Sequence, residues 1–330
     1  MAVRAALVGL GWWGRHLLTQ MRTSPVLRFV AAVGSRDGHR AVADEFGMPF
    51  TTRYEAMLAD EEIDLVVIAT PHGLHAQQVM LAAAHGKHVF CEKPLAMSVH
   101  DAHACVRACT CAGVRLGIGH ERRFEAAMIA LAKLLREGEL GTIVHAEANF
   151  SHDKLTNLAA DNWRVAESDA VPLAMTGTGI HMTDLLADLL GDIGEVFATA
   201  PARQLSRPGR TLSLQLRFAS GATGYVNSIL ETPLYMRVAV FGTKGWAEVR
   251  NADHPDSKGA SRLLVRHANG SEQSAAFDWN DSVRDNLERF CAAIGGKASY
   301  PVSVDQMIAN VAVMEAVAQS LQQGRPVRVG

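Results

Sequence analysis

Apolar residues in the first third of the chain fall in short unbroken runs rather than in alternation. Residues 5–8 and most of 64–70 are such runs, and residues 27–33, 88–90 and 114–118 are apolar apart from Arg28, His88 and Arg115. Unbroken apolar runs bounded by turn residues mark strands buried on both faces, as in a parallel sheet. Between them residues 40–46, 54–58 and 75–84 carry helical spacing, the last stopped by Gly86, and Ser98-Val99-His100-Asp101 opens another helix with a capping pattern. Strands separated by helices of this length imply right-handed crossovers and a doubly wound sheet. The texture changes after Gly141. Residues 142–150 read as a strand, residues 151–174 as a polar loop, and residues 180–190 as a helix. From Glu195 the pattern alternates: Leu212, Leu214, Leu216 and Phe218 occupy every second position, and turns at residues 219–221, 242–245 and 268–270 punctuate the runs like hairpins. Residues 286–295 and 307–323 are closing amphipathic helices, the latter expected to pack back on the first domain. The predicted fold is α/β plus α+β. A Rossmann domain over residues 1–122 precedes a mostly antiparallel open sheet with helices on one face over residues 123–330, for substrate binding and oligomerisation.

The chemistry begins at Gly9-Leu10-Gly11-Trp12-Trp13-Gly14, set after a strand and opening a helix. The first glycine allows the tight turn, the second lets the backbone approach a pyrophosphate, and the third lets helix and strand pack closely. The helix amino end offers N–H groups to the phosphates. About 20 residues on, where an acid would hold the ribose of NAD, the second strand ends in Ser35 and Arg36. A hydroxyl and a guanidinium suit a 2′-phosphate, so NADP(H) is favoured, with NAD(H) an alternative through Asp37. In doubly wound sheets ligands lie outside the strands' carboxyl ends. Gly9, Ser35, Thr70, Glu92 and Gly119 fall at such ends, and Thr70, Pro71, His72 and His75 are expected to line the cofactor crevice.

Composition narrows the class. With 330 residues, two domains are expected. A hydrophobic content of 48%, 20% charged residues and a net charge of −2 describe a globular protein with no pull toward nucleic acid or an anionic membrane. No apolar run approaches the roughly 20 residues of a membrane span. No cleavable-signal pattern precedes the first strand, so a cytoplasmic location is expected. Five cysteines are too few, and odd in number, for a disulfide framework. The pairs His72/His75 and His100/His103 have metal-like spacing without a third ligand nearby, so no metal is expected.

Glu92-Lys93-Pro94, at the carboxyl end of a short strand, is unusual for a mere connection. In the second half His181 follows Gly177-Thr178-Gly179, expected to be a turn that lets a ligand approach. Its imidazole suits proton transfer near neutral pH, with Asp184 placed to orient it. Arg122, Arg123, Trp163, Arg164 and Thr178 are the expected substrate contacts, a polar and partly cationic set.

Together these residues resemble the Gfo/Idh/MocA oxidoreductases, named for glucose–fructose oxidoreductase, inositol dehydrogenase and a rhizopine-catabolism protein. The likeness runs nearly end to end. It takes in the glycine motif, residues 69–75, residues 86–96 with Glu92-Lys93-Pro94, Arg122-Arg123-Phe124, residues 138–141, Gly179-Ile180-His181 with Asp184, and Gly324-Arg325-Pro326. The resemblance implies that Lys93 contacts nicotinamide and substrate, and that His181 is the acid/base on the substrate oxygen. Such proteins usually carry an aspartate four residues before that histidine, where this chain has Gly177, and an asparagine after Thr70-Pro71, where it has His72. The implied reaction is hydride transfer between NAD(P)(H) and a secondary alcohol or ketone of a sugar, polyol or cyclic diol. A homodimer or homotetramer through the second sheet is also implied. A non-catalytic NADP(H) sensor and a transient-oxidation glycosidase are the competing readings.

Overall fold

The computed structural model describes residues 2–159, 162–167, 171–202 and 209–330. The chain forms two compact units, Met1–His120 with Val283–Val311 and Glu121–Ser282 with Ala312–Gly330. Each unit is thus discontinuous in sequence, and the first takes in a segment from near the end of the chain.

The first unit alternates β1 (Val3–Val8), α1 (Trp12–Met21), β2 (Leu27–Val33), α2 (Arg40–Glu45), β3 (Phe50–Thr51), α3 (Tyr54–Leu58), β4 (Leu65–Ile68), α4 (His75–Ala84), β5 (His88–Cys91), α5 (Val99–Cys111) and β6 (Leu116–Ile118). The strands form a parallel six-stranded sheet in the order β3-β2-β1-β4-β5-β6. The order reverses between β1 and β4, the switch point at which such sheets bind ligands. Leu65 to Ile68 are wholly buried, as their unbroken apolar run requires. Ser98 caps α5 by accepting from the Asp101 N–H.

Later in the chain come α6 (Ala126–Arg136), β7 (Ile143–Ser151), α7 (Trp163–Glu167), α8 (Ile180–Leu190), β8 (Ile193–Thr199), β9 (Thr211–Phe218), β10 (Thr223–Ile229), β11 (Tyr235–Gly242), β12 (Gly245–Asn251), β13 (Ser261–His267), β14 (Glu272–Phe277), α9 (Ser282–Ile294), α10 (Val304–Gln323) and β15 (Val327–Arg328). In the second unit nine strands run β14-β13-β12-β11-β7-β10-β9-β8-β15. All neighbours are antiparallel except β10 with β7. Leu212, Leu214, Leu216 and Phe218 of β9 are buried while Gln215 and Arg217 are exposed, so one face of the sheet is cored and the other open.

α9 completes the core of the first unit. Val283, Leu287, Phe290 and Cys291 follow helical spacing and join the cluster that holds Leu7, Leu17, Leu65 and Phe90. The Phe290 ring lies 5.6 Å from Phe90 and 5.2 Å from Tyr300. It presses so closely on Gly117 of β6 that a Cβ there would come within 2.7 Å of it. The Tyr300 hydroxyl and the Asn286 amide both donate to the Ile118 carbonyl, at 3.0 and 2.9 Å. Phe290→Ala should therefore lower the unfolding free energy by about 3–5 kcal/mol, read by urea denaturation. A loss under about 1 kcal/mol would remove α9 from the core.

Candidate active site

The glycine motif divides into residues the fold needs and one that faces open space. Gly9 has φ +99°, and a Cβ on it would strike the Ala69 backbone. A Cβ on Gly14 would strike the Gly9 carbonyl. Gly11, by contrast, has nothing within 4 Å of a built Cβ. It caps the amino end of α1, whose first turn holds no acidic residue. Open backbone at a helix amino end is the arrangement a dinucleotide diphosphate requires, so these residues fit that cofactor. Trp13 stacks on His16 at 4.9 Å between centroids, and Trp12 is 63% exposed beside it. Ser35 and Arg36 are exposed where β2 ends, and the Arg36 charge adds to burial in pushing the His39 pKa down.

The Glu92-Lys93-Pro94 corner is tightly built. Glu92 is buried, and its carboxylate fills the space a Gly119 side chain would need, 2.7 Å from a built Cβ. His75 is wholly buried, with Nδ1 2.7 Å from the Pro94 carbonyl and Nε2 3.0 Å from the Thr70 carbonyl. It therefore holds the two loops together rather than touching a ligand, which corrects its expected place as a crevice-lining residue. His72 is also buried, 5.7 Å from the His75 ring. The Thr70 hydroxyl donates to Gln78 Oε1 at 2.6 Å. Pro71 and Lys93 are half-buried, and the Lys93–Pro94 peptide is cis.

In the second unit the expected glycine turn is a π-helical turn, Met175–Gly179, that runs straight into α8. Such wide turns recur at functional sites. Thr178 is wholly buried and its hydroxyl donates to the Ala174 carbonyl at 3.3 Å, so it is spent on the helix rather than offered to a substrate. A Cβ on Gly177 would face Leu155 at 3.4 Å and Leu230 at 3.6 Å.

Arg122 and Arg123 also differ from their expected role. Arg122 is 2% exposed and donates to Glu121 and Glu125 at 2.9 Å and to Asp256 at 2.5 Å. Burial pulls its pKa down, but Asp256, Glu121 and Glu125 outweigh this and raise it. Arg123 grips both oxygens of Asp184 at 2.6 Å and reaches Asp188 at 2.8 Å. These guanidiniums are structural, because an unpaired charge at that depth would cost several kcal/mol (of order 3–5). Asp184 is held on both oxygens by Arg123. The carboxylate near His181 is Glu121, with Oε1 3.8 Å from Nδ1.

Arg164 lies over the Trp163 ring at 4.2 Å, so the two form a cation–π pair on α7. Residues 160–161 and 168–170 of the polar loop lie outside the described residues.

Sequence reasoning missed the connection between β12 and β13, which brings His254 and Asp256 to the site. The His254 ring sits 5.2 Å from His152 and 5.6 Å from Phe150, and His181 lies 6.2 Å from the same phenyl ring. The only signal in the sequence was a pair of polar residues in a turn-rich stretch. Burial pushes the His254 pKa down to about 3, against the pull of Asp256 and helped by Lys154, Arg122 and His152. Burial likewise lowers Lys154, which Asp256 opposes. All five cysteines are free thiols. Among the described residues no cluster of three or more His, Cys, Asp or Glu is arranged to hold a metal ion, and no helix is long and apolar enough to cross a membrane.

A Rossmann unit with an open diphosphate cradle, joined to a sheet unit carrying a buried histidine–carboxylate site, defines an NAD(P)-dependent oxidoreductase. The family models agree: one described as "Oxidoreductase family, NAD-binding Rossmann fold" matches residues 3–120, and the GFO/IDH/MocA C-terminal domain matches residues 128–248. The chain belongs to the Gfo/Idh/MocA oxidoreductase family. It is 33% identical over 302 residues, 91% of each chain, to D-xylose 1-dehydrogenase (NADP(+)) 2 of Haloferax volcanii. It is 29% identical over 262 residues to trans-1,2-dihydrobenzene-1,2-diol dehydrogenase of Mus musculus, covering 76% of this chain and 75% of that one. The fold matches aldose-aldose oxidoreductase of Caulobacter crescentus with a TM-score of 0.86 at 24% identity, over 99% of this chain and 100% of that one.

The depressed His254 pKa has a consequence for stability. Its folded value of about 3 lies below its ordinary 6.5, so the unfolded chain binds the proton more readily. The ring's contribution is complete above pH ~6.5 and is lost as pH falls toward about 3. His254→Gln should flatten the decline of unfolding free energy between about pH 6 and 4, where one such group adds at most ~1.4 kcal/mol per pH unit. Urea melts across that range check it, and an unchanged slope would mean that the ring is not held neutral.

Proposed function

We propose that the protein reversibly oxidises a secondary alcohol of a sugar, polyol or cyclic diol, with NADP(H) as preferred cofactor. The observation that carries this reading is the Glu92-Lys93-Pro94 corner. His75 and Gly119 build it around one half-buried ammonium at the carboxyl edge of the cofactor-binding sheet. When bound, the nicotinamide accepts or supplies the hydride. Lys93 stabilises negative charge on the substrate oxygen as its proton leaves, and His181 accepts that proton. The relatives named for a sugar and a cyclic diol support the substrate class. So does the electrostatics of the second unit: Arg122 and Arg123 are neutralised by their own carboxylates, and His254 is held uncharged. That surrounding favours a neutral polyhydroxy substrate over an anionic one. Trp163 and Arg164 remain proposed contacts for it. Ser35 and Arg36, with no acid at the tip of β2 before Asp37, support NADP(H), as does a relative named for NADP(+).

We further propose a homodimer or homotetramer through the open face of the nine-stranded sheet. On that face Arg237 ties Glu248 and Glu147 at 2.5 and 2.6 Å, and the His145 ring lies 5.1 Å from Tyr225 and 6.0 Å from Phe241. Tyr225 is 46% exposed in the single chain, an aromatic suited to burial by a second copy. Light scattering should show an oligomer that Tyr225→Asp weakens, and a wild-type monomer at micromolar concentration would overturn the assignment.

The functional test is reduced-nicotinamide formation over a panel of aldoses, polyols and cyclic diols with each cofactor. Turnover with higher kcat/KM for NADP+ is expected, and a strong NAD+ preference would reverse the cofactor assignment. Lys93→Met should lower kcat by about 10²–10³-fold with little change in cofactor affinity; unchanged turnover would take Lys93 out of the chemistry. Tight cofactor binding without turnover on any compound would establish the sensor instead, and product without net reduced cofactor would establish transient oxidation.

A further inference from the structure

We propose that Glu121 is the positioning residue for His181. It orients the imidazole and strengthens it as a base, taking from another element the part a carboxylate at position 177 would play. The inference rests on the reading of His181 as the proton acceptor, and it comes from where the carboxylates of the second unit stand.

Glu121 Oε1 lies 3.8 Å from His181 Nδ1, with side chains 3% and 5% exposed respectively, so bulk water does not screen the pair. Among the described residues, the carboxylate on the helix of His181 itself is engaged elsewhere, and position 177 offers none. Both oxygens of Asp184 are gripped by Arg123 at 2.6 Å. Residue 177 is glycine, and the space beside it is walled by the methyl groups of Leu155 and Leu230. Glu121 reaches His181 from the 3-10 turn Glu121–Phe124.

Glu121 is itself held rigid. Its Oε1 accepts from Arg122 Nη2 at 2.9 Å, and the same guanidinium is fixed by Glu125 at 2.9 Å and Asp256 at 2.5 Å. Three carboxylates around one guanidinium leave surplus negative charge beside His181. In a poorly solvated site that surplus favours the imidazolium over the imidazole. Among the described residues, the other titratable groups of the surrounding elements include Arg123, Asp184 and Asp188, which pair among themselves, His152 and Lys154 after β7, Arg210, whose guanidinium donates to the Leu155 carbonyl, and His254 beyond β12. His254 is held neutral, and Lys154 is drawn to Asp256, so neither is the direct counter-charge of the carboxylate next to the ring. At 3.8 Å Glu121 Oε1 lies beyond hydrogen-bond reach of Nδ1, so it acts through its charge, which favours the proton on Nδ1 and leaves the lone pair on Nε2. The substrate hydroxyl proton then passes to Nε2, the O–H bond breaking as the N–H bond forms, and the imidazolium returns it to solvent.

The experiment uses the full-length protein with labelled histidine, assigning the His181 ring nitrogens by their loss in His181→Asn. In Glu121→Gln the His181 titration midpoint should fall by about one pH unit and the Nδ1–H tautomer should lose population. Glu121→Asp, which keeps the charge, should stay closer to wild type. Thermal unfolding and cofactor binding check that each variant is folded, since Arg122 keeps Glu125 and Asp256 in both. An unchanged midpoint and tautomer in folded Glu121→Gln would overturn the proposal. The pH profile of kcat/KM separates this from the reading beneath it. If its acidic limb survives in His181→Asn, His181 is not the base, whatever the nitrogen signals say of Glu121. If the limb is lost there and shifts to lower pH in Glu121→Gln, both stand.

Discussion

Two consecutive arginines, buried in one short turn, organise the second unit. Arg122 and Arg123 leave the chain side by side and reach separate sets of carboxylates: Glu121, Glu125 and Asp256 for one, Asp184 and Asp188 for the other. Burying a guanidinium is costly, and only good geometry to several acceptors recovers the loss. The turn must therefore sit where all five carboxylates converge. That single requirement fixes the start of α6 through Glu125, the orientation of α8 through Asp184, and the β12–β13 connection through Asp256. Asn280 reinforces it, donating to the Phe124 carbonyl and accepting from the Ala126 N–H, both at 2.8 Å. His181, on the first turn of α8, has its position set by this network before any ligand is considered.

The first unit solves the same problem of preorganisation with backbone rather than charge. Gly9 and Gly14 are glycines because the strand, the turn and the helix meet too closely for side chains, and that closeness turns the open Gly11 backbone outward. At the next loops His75 joins two carbonyls, and Gly119 yields its space to Glu92. Both devices put the functional group on a rigid frame, where a supporting shell holds it within the tolerance that chemistry demands.

What could be read in the sequence was what local pattern determines. The buried run at Leu65–Ile68, the alternation at Leu212–Phe218, the Ser98 cap and the bounds of α3, α4 and α8 all follow from spacing over a few residues. The two-residue β3 carries no period long enough to see. Arg122, Arg123 and Asp184 misled for a different reason: a sequence displays charge but not partners. Arg123 meets Asp184 across 61 positions, and Arg122 meets Asp256 across 134. With no partner in view, a pair of arginines near a site reads as ligand-binding. The glycines at 177 and 179 misled by suggesting a break, where Thr178 and the surrounding packing keep the chain helical through a π turn.

The same network carries stability and function, and this constrains how the site can change. A carboxylate on the helix that bears the histidine, four residues before it, would be supported only by local contacts and could vary with the substrate. Glu121 lies on the turn that the fold depends on, where it also binds a buried guanidinium. Position 177 carries no charge, being glycine. Its side is apolar, formed by Leu155 and Leu230, and open enough that a Cβ would make ordinary contacts there. The surroundings of residue 177 and of Glu121 thus differ in kind: an apolar wall with room for a Cβ on one side, and a buried carboxylate tied into the arginine network on the other.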